Sequence, residues 1–156
     1  MSGTSLGRWL GQVGHGRKCG CGLWLCRGVE TVTHTAVDGA YAPTADYAHA
    51  IEVSGAQRLL FVSGTMGLDP AGVAGATLDE QLTLLWDNLR AILAAADMTV
   101  DNVVRLTSYL RDVDYAQANA AARTRALGGR VIPTTAIVVQ TLSPEWLVEL
   151  EIVAAG

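Results

Sequence analysis

The stretch from Thr77 to Ala96 constrains this chain more than any other, because it carries both a start signal and a single apolar face. Thr77-Leu-Asp-Glu80 matches a capping box, in which the threonine hydroxyl accepts a bond from a free backbone N–H and the glutamate reaches back to the cap residue. Leu78, Leu82, Leu85, Leu89, Ile92, Leu93 and Ala96 then recur at the three- and four-residue spacing of one buried stripe. Asp79, Gln81, Thr83, Asp87 and Arg90 fall outside it. Trp86 lies beside the stripe and reads as packing. A helix with one apolar face must lay it on another element, so the rest of the chain has to supply that surface.

Strands are the partner that the pattern offers. Val103 to Leu110 alternates, with Val104, Leu106 and Leu110 on one side and Arg105, Thr107 and Tyr109 on the other. Tyr47 to Val53 and Arg58 to Val62 are two β-type runs separated by Ser54-Gly55, which predicts a hairpin. Asp69-Pro70 with Gly72 and Gly75 predicts a loop. The alanine-rich run from Tyr115 to Leu127, stopped by Gly128-Gly129, predicts a second helix with a shallow, close-packing face. Thr135 to Leu142 and Leu147 to Val153 predict two further strands around Ser143-Pro144-Glu145. In the last, Val148, Leu150 and Ile152 point one way while Leu147, Glu149, Glu151 and Val153 point the other, so two carboxylates share a face. Both helices then lie on one face of a mixed sheet in an α+β layer. The opposite face, part apolar and part acidic, stays uncovered and favours self-association with closed symmetry.

Composition narrows the class. The 156 residues suit one domain, and no stretch approaches the apolar run of roughly 18 that a membrane span needs, so a soluble protein with no membrane partner is expected. The composition breaks at Val29: residues 1–28 hold Cys19, Cys21, Cys26, the only lysine, Lys18, and three arginines, with no acid. Residues 29–156 hold seven arginines against fifteen Asp and Glu, a formal charge of −8. A body that acidic repels phosphate backbones, so no nucleic-acid partner is expected. For residues 1–28 the apolar runs are too broken for a secretory signal, and the glycines oppose an amphipathic targeting helix. Cys19, Cys21 and Cys26 with His15 lack a standard zinc spacing. A disordered extension or an upstream mis-start is the expectation, with a single domain at 29–156.

The body has no lysine or cysteine, which removes covalent imine formation on an amine and thiol nucleophiles. Water is left as the nucleophile, with Glu149 placed to orient or deprotonate it. On the residues alone, the stronger reading is that Glu149 and Glu151 ion-pair with arginines at a subunit contact. His34 and His49 read as surface histidines, and Ser63-Gly64 lacks the full nucleophile elbow.

Seven motifs carry a resemblance: Tyr47-Ala-His-Ala-Ile, Phe61-Val-Ser-Gly, Leu68-Asp-Pro, Asn88-Leu-Arg-Ala-Ile-Leu-Ala-Ala-Ala, Asp101-Asn-Val-Val-Arg, Asn119 and Leu147-Val-Glu-Leu-Glu. In order and spacing, over about residues 41 to 154, they resemble the RidA/YjgF (reactive-intermediate deaminase) family. The resemblance implies a chorismate-mutase-like fold and a cytoplasmic homotrimer with small-molecule clefts between subunits. It also implies hydrolysis of reactive enamines and imines to a 2-keto acid and ammonia, without metal or organic cofactor. By position, Tyr47, Ser63, Gly64 and Asn119 line or support the cleft, and Glu149 positions the water. The family's Pro-x-Arg-Ser/Thr run reads Pro133-Thr-Thr-Ala here, so Thr135 stands where the substrate-clasping arginine belongs, with Ile137 next along the lining. A hydroxyl cannot make the paired, charge-assisted bonds of a guanidinium. A non-catalytic small-molecule-binding trimer is therefore the alternative. Arg105 and Arg130 are the other cations considered for that role, though their spacing does not point to it.

Overall fold

The computed structural model describes residues 32–37, 41 and 45–156. The expectations for residues 1–28 lie outside the described residues. Helix α1 (Leu78–Ala95) begins where the capping box places it. Thr77 Oγ1 accepts from the Glu80 amide at 3.2 Å, and Glu80 Oε2 accepts from the amides of Thr77 at 3.1 Å and Ala76 at 2.8 Å. Leu82, Leu85, Leu89 and Leu93 are buried as the stripe requires, and truncating any one of them to alanine would cost about 2–5 kcal/mol. Trp86 packs with them. Two positions depart from the stripe: Ile92 is exposed, and Gln81, placed outside it above, is buried.

The strands are β1 (Thr33–Val37), β2 (Ala50–Ser54), β3 (Leu59–Met66), β4 (Val103–Leu110), β5 (Thr134–Val138) and β6 (Val148–Ala155), with α2 (Ala116–Ala126) between β4 and β5. The expected hairpin is corrected. β2 and β3 exist as strands but do not pair; β2 runs antiparallel to β1, and β3 joins a four-stranded sheet in the order β3-β6-β4-β5. The Ala48 amide donates to Ile132 O at 3.2 Å, and the Gln57 and Arg58 amides both donate to Gly156 O at 2.8 Å. The segment carrying β2 therefore crosses the end of the sheet, with Ile51 against the core, and delivers the chain to the far edge strand. Ser54-Gly55 does end one strand before the next begins, but such a local signal carries no information about which strand lies alongside.

β4 and β5 are parallel and the other pairings in this sheet are antiparallel, so the sheet is mixed. Leu106, Leu110, Val148, Leu150, Ile152 and Ala154 point toward α1 and α2 and form one core with them. The opposite face exposes Phe61, 72% accessible, together with Leu59 and Ile137. Among the described residues no helix is long and apolar enough to cross a membrane.

Candidate functional site

The uncovered sheet face is organised in rungs. Ile137 on β5, Tyr109 on β4, Glu149 on β6 and Met66 on β3 stand in register across all four strands. One step along, Thr135, Thr107 and Glu151 form the next rung, and the step after brings Arg105, Val153 and Phe61 together. Opposite Glu151 the β3 ladder shifts register between Val62 and Thr65, leaving Ser63 and Gly64 in a bulge. Bulges of this kind re-aim side chains and interrupt pairing beside functional sites.

That bulge receives the Glu149 side chain. A Cβ at Gly64 would lie 1.6 Å from Glu149 Oε1 and 2.6 Å from its Cδ, so the carboxylate occupies the volume that any other residue at 64 would fill. Glycine is required there for close approach rather than for backbone angle, since Gly64 is not among the left-handed glycines. Among the described residues Glu149 and Glu151 take part in no ion pair within the chain. Burial first, then the neighbouring Glu151 carboxylate and the charge of Glu149, raise the Tyr109 phenol above its ordinary range, with Arg105 pulling the other way.

A depression of about 280 Å³ lies on the same face, lined by Phe61, Ser63, Arg105, Thr107, Glu151 and Val153. On the far strand, Arg105 Nη2 donates to Thr135 Oγ1 at 2.9 Å. Tyr47 reaches that edge too: Ala48 bridges to Pro133 at the start of β5, and the Tyr47 ring stacks on His49 with centroids 5.8 Å apart. The structure therefore gathers the expected residues into two groups. Glu149, Ser63 and Gly64 sit toward the β3 edge, while Thr135, Ile137 and Tyr47 sit toward the β5 edge.

Asn119 joins neither group. It is 1% exposed and donates Nδ2 to Ser108 Oγ at 3.0 Å, between α2 and the helix-covered face of the sheet. It supports the sheet from behind. Arg130 is likewise withdrawn, its Nη2 bonded to the carbonyls of Val100 at 2.6 Å and Val103 at 3.1 Å. His34, expected at the surface, has a buried Nε2 without a hydrogen-bond partner among the described residues, and burial together with the Arg130 charge lowers its pKa.

Two supports escaped the pattern reading. Buried Gln81 donates to the carbonyls of Gly75 at 2.8 Å and Glu145 at 2.7 Å and accepts from the Leu147 amide at 2.9 Å, fixing the chain two residues before Glu149. Asn88 donates to the carbonyls of Met66 at 3.2 Å and Leu68 at 2.9 Å, fixing the end of β3. A polar residue on the flank of an apolar stripe was the only signal for Gln81. Among the described residues no group of three or more His, Cys, Asp or Glu is placed to hold a metal ion.

The family model described as endoribonuclease L-PSP matches residues 38–156. The RutC family protein UK114 of Drosophila melanogaster is 32% identical over 133 residues, 81% of this chain and 92% of its own. A RutC family protein of Pyrococcus abyssi is 30% identical over 115 residues, 72% of this chain and 87% of its own. Among solved structures, YyfB of the conserved Rid protein family from Yersinia pestis gives a TM-score of 0.69 at 26% identity, over 79% of this chain and 98% of that one. RidA from an Antarctic Psychrobacter gives 0.61 at 23% identity, over 75% and 94%, a likeness of fold. The resemblance in the seven motifs, the chorismate-mutase-like α+β fold and the extent of these matches lead to one conclusion: the chain belongs to the RidA/YjgF family.

Proposed function

We propose that this protein is a hydrolytic deaminase acting on small reactive enamines or imines, with water as nucleophile and Glu149 as its base. The observation that carries this reading is the Glu149 carboxylate seated over Gly64 at the β3 bulge, on the sheet face away from the helices. In the step envisaged, an enamine first becomes the imine by gaining a proton at carbon and losing one from nitrogen. Glu149 accepts a proton from water as the oxygen adds to the imine carbon, and returns it to nitrogen. In the resulting carbinolamine the hydroxyl proton passes to nitrogen as the C–N bond breaks, so that ammonia leaves behind a carbonyl. No lysine or cysteine lies in residues 29–156 to offer a covalent route.

The exposed Phe61, Leu59 and Ile137 support assembly of this face into a closed ring of three copies. Since the Glu149 group lies toward one edge of the sheet and the Thr135 group toward the other, each site in such a ring would be completed by a neighbouring copy. The description of the matching family model suggests ribonuclease activity. The excess of carboxylates in residues 29–156, and the engagement of Arg111, Arg123 and Arg130 in internal hydrogen bonds, argue against a phosphate-backbone substrate.

The test is pyruvate release from 2-aminoacrylate generated in situ. Acceleration by the wild type and its loss, by about 10²–10⁴-fold, in Glu149→Gln is expected. No acceleration, or a Glu149→Gln variant as fast as wild type, would reject the deaminase reading. One observation favours a second reading, a trimeric small-molecule binder without turnover: the neutral Thr135 at the position of the family arginine.

A further inference from the structure

Position 135 is neutral, yet the place it occupies is not without charge. β4 and β5 run parallel with Thr107 opposite Thr135, so Arg105 stands one rung back on the same face. Its side chain reaches forward, and Nη2 donates to Thr135 Oγ1 at 2.9 Å. A guanidinium on one strand is thereby held against the residue that replaces the family arginine on the next.

Four of the other six arginines among the described residues are engaged elsewhere. Arg123 and Arg90 are paired with Asp46 and Asp87, Arg130 is bound to two carbonyls, and Arg111 is bound to Thr141 and Ser143. Arg105 is exposed, its partner is a neutral hydroxyl, and among the described residues it has no ion pair. A guanidinium fork has five N–H donors, so the Thr135 bond leaves the pair needed for a planar carboxylate. Glu151 lines the same depression, yet among the described residues no ion pair joins it to Arg105. Ile137, the next outward residue on β5, presents an exposed apolar side chain beside the Thr135 rung.

We propose that Arg105 is the carboxylate anchor of this site, oriented by Thr135, and that the ligands are small 2-imino or 2-enamino monocarboxylates with a short apolar side chain. The proposal rests on the deaminase reading for its substrate class. It has a readout of its own in the binding of pyruvate, the carboxylate product of 2-aminoacrylate.

Calorimetric titration with pyruvate and with its uncharged amide, pyruvamide, separates the two ideas. Wild type is expected to prefer pyruvate. Arg105→Gln should weaken pyruvate about 10- to 100-fold while leaving pyruvamide unchanged, and Arg105→Lys should fall between, because an ammonium gives the charge without the fork. In turnover of 2-aminoacrylate, KM should rise in Arg105→Gln with little change in kcat, the mark of an interaction made equally in ground and transition states. Thr135→Val, which keeps the cation but frees its orientation, should lose less than Arg105→Gln, and Thr135→Ser should restore wild-type binding. Unaltered pyruvate affinity in a folded Arg105→Gln protein, or a wild type indifferent between pyruvate and its amide, overturns the anchor. Pyruvate preference that depends on Arg105 in a protein without turnover upholds the anchor and rejects the deaminase reading instead.

Discussion

Replacing Gly64 by alanine tests the site more sharply than replacing Glu149, because it leaves the carboxylate chemically intact and only moves it. The new Cβ would stand 1.6 Å from Glu149 Oε1, and ordinary contact requires about 3.4 Å, so the carboxylate must retreat by about 1.8 Å. A misplacement of about 1 Å can cost on the order of 10²-fold in rate, so kcat for 2-aminoacrylate hydrolysis should fall by at least about 100-fold. Stability should barely change. The atoms in the way are the end of a flexible side chain, Gly64 is not in the left-handed region, and alanine at a compatible position restricts the unfolded chain by about 0.4–1 kcal/mol. Gly67→Ala is the contrasting control: its Cβ would meet the Gln81 backbone at 2.1 Å, where nothing can swing aside, and should cost roughly 1–3 kcal/mol or more. The assay pairs steady-state kinetics with thermal melting of both variants. Adding Glu149→Asp to Gly64→Ala shortens the acid by one methylene and should recover part of the loss, a coupling that independent sites do not show. Full activity in Gly64→Ala, or loss of activity that merely follows unfolding, would refute the placement of Glu149.

Other outcomes follow from the same geometry. If each site joins Glu149 of one copy to Arg105 of the next, refolding an equal mixture of Glu149→Gln and Arg105→Gln chains should give about a quarter of wild-type activity at substrate well below KM, because every mixed ring of three then holds one intact site; activity no higher than that of Arg105→Gln chains alone places both groups in one chain. Gln81→Ala removes three bonds around the loop before β6 and should lower stability by about 2–3 kcal/mol; a melting curve superimposable on wild type contradicts that. His34 has its imidazole pKa lowered from 6.5, chiefly by burial, so below that pH the unfolded chain takes up a proton that the folded chain resists. Stability is therefore full above about pH 6.5 and declines as pH falls toward the lowered folded value. In His34→Gln the dependence of Tm on pH between 7 and 5 should flatten, and an unchanged slope would clear His34 of the effect.

Much of the frame is legible in the chain because it is written in local signals. The capping box and the apolar stripe define α1 to within a residue, since both act between side chains three or four positions apart. Val103–Leu110 and the last strand are legible from alternation, which already separates Glu149 and Glu151 from the core-facing Val148, Leu150 and Ile152. Where the local signal is weak it places an element without orienting it: α2 forms where the alanine run predicts it, but no stripe sets its face, and packing alone turns Asn119 onto Ser108.

The pairing of β2 with β1, the Arg105–Thr135 bond across 30 positions and the seating of Glu149 over Gly64 belong to tertiary structure alone. Each depends on strand order or register, and a run of residues carries its own periodicity but not the identity of its neighbour in the sheet. The sequence by itself therefore determined which atoms are available for chemistry: an acid on an open face, a glycine in a strand, and a threonine without charge. Only the closed sheet decided that the acid and the glycine meet, and that an arginine from the next strand stands beside the threonine, because contacts between distant segments are set by how the layers pack as a whole.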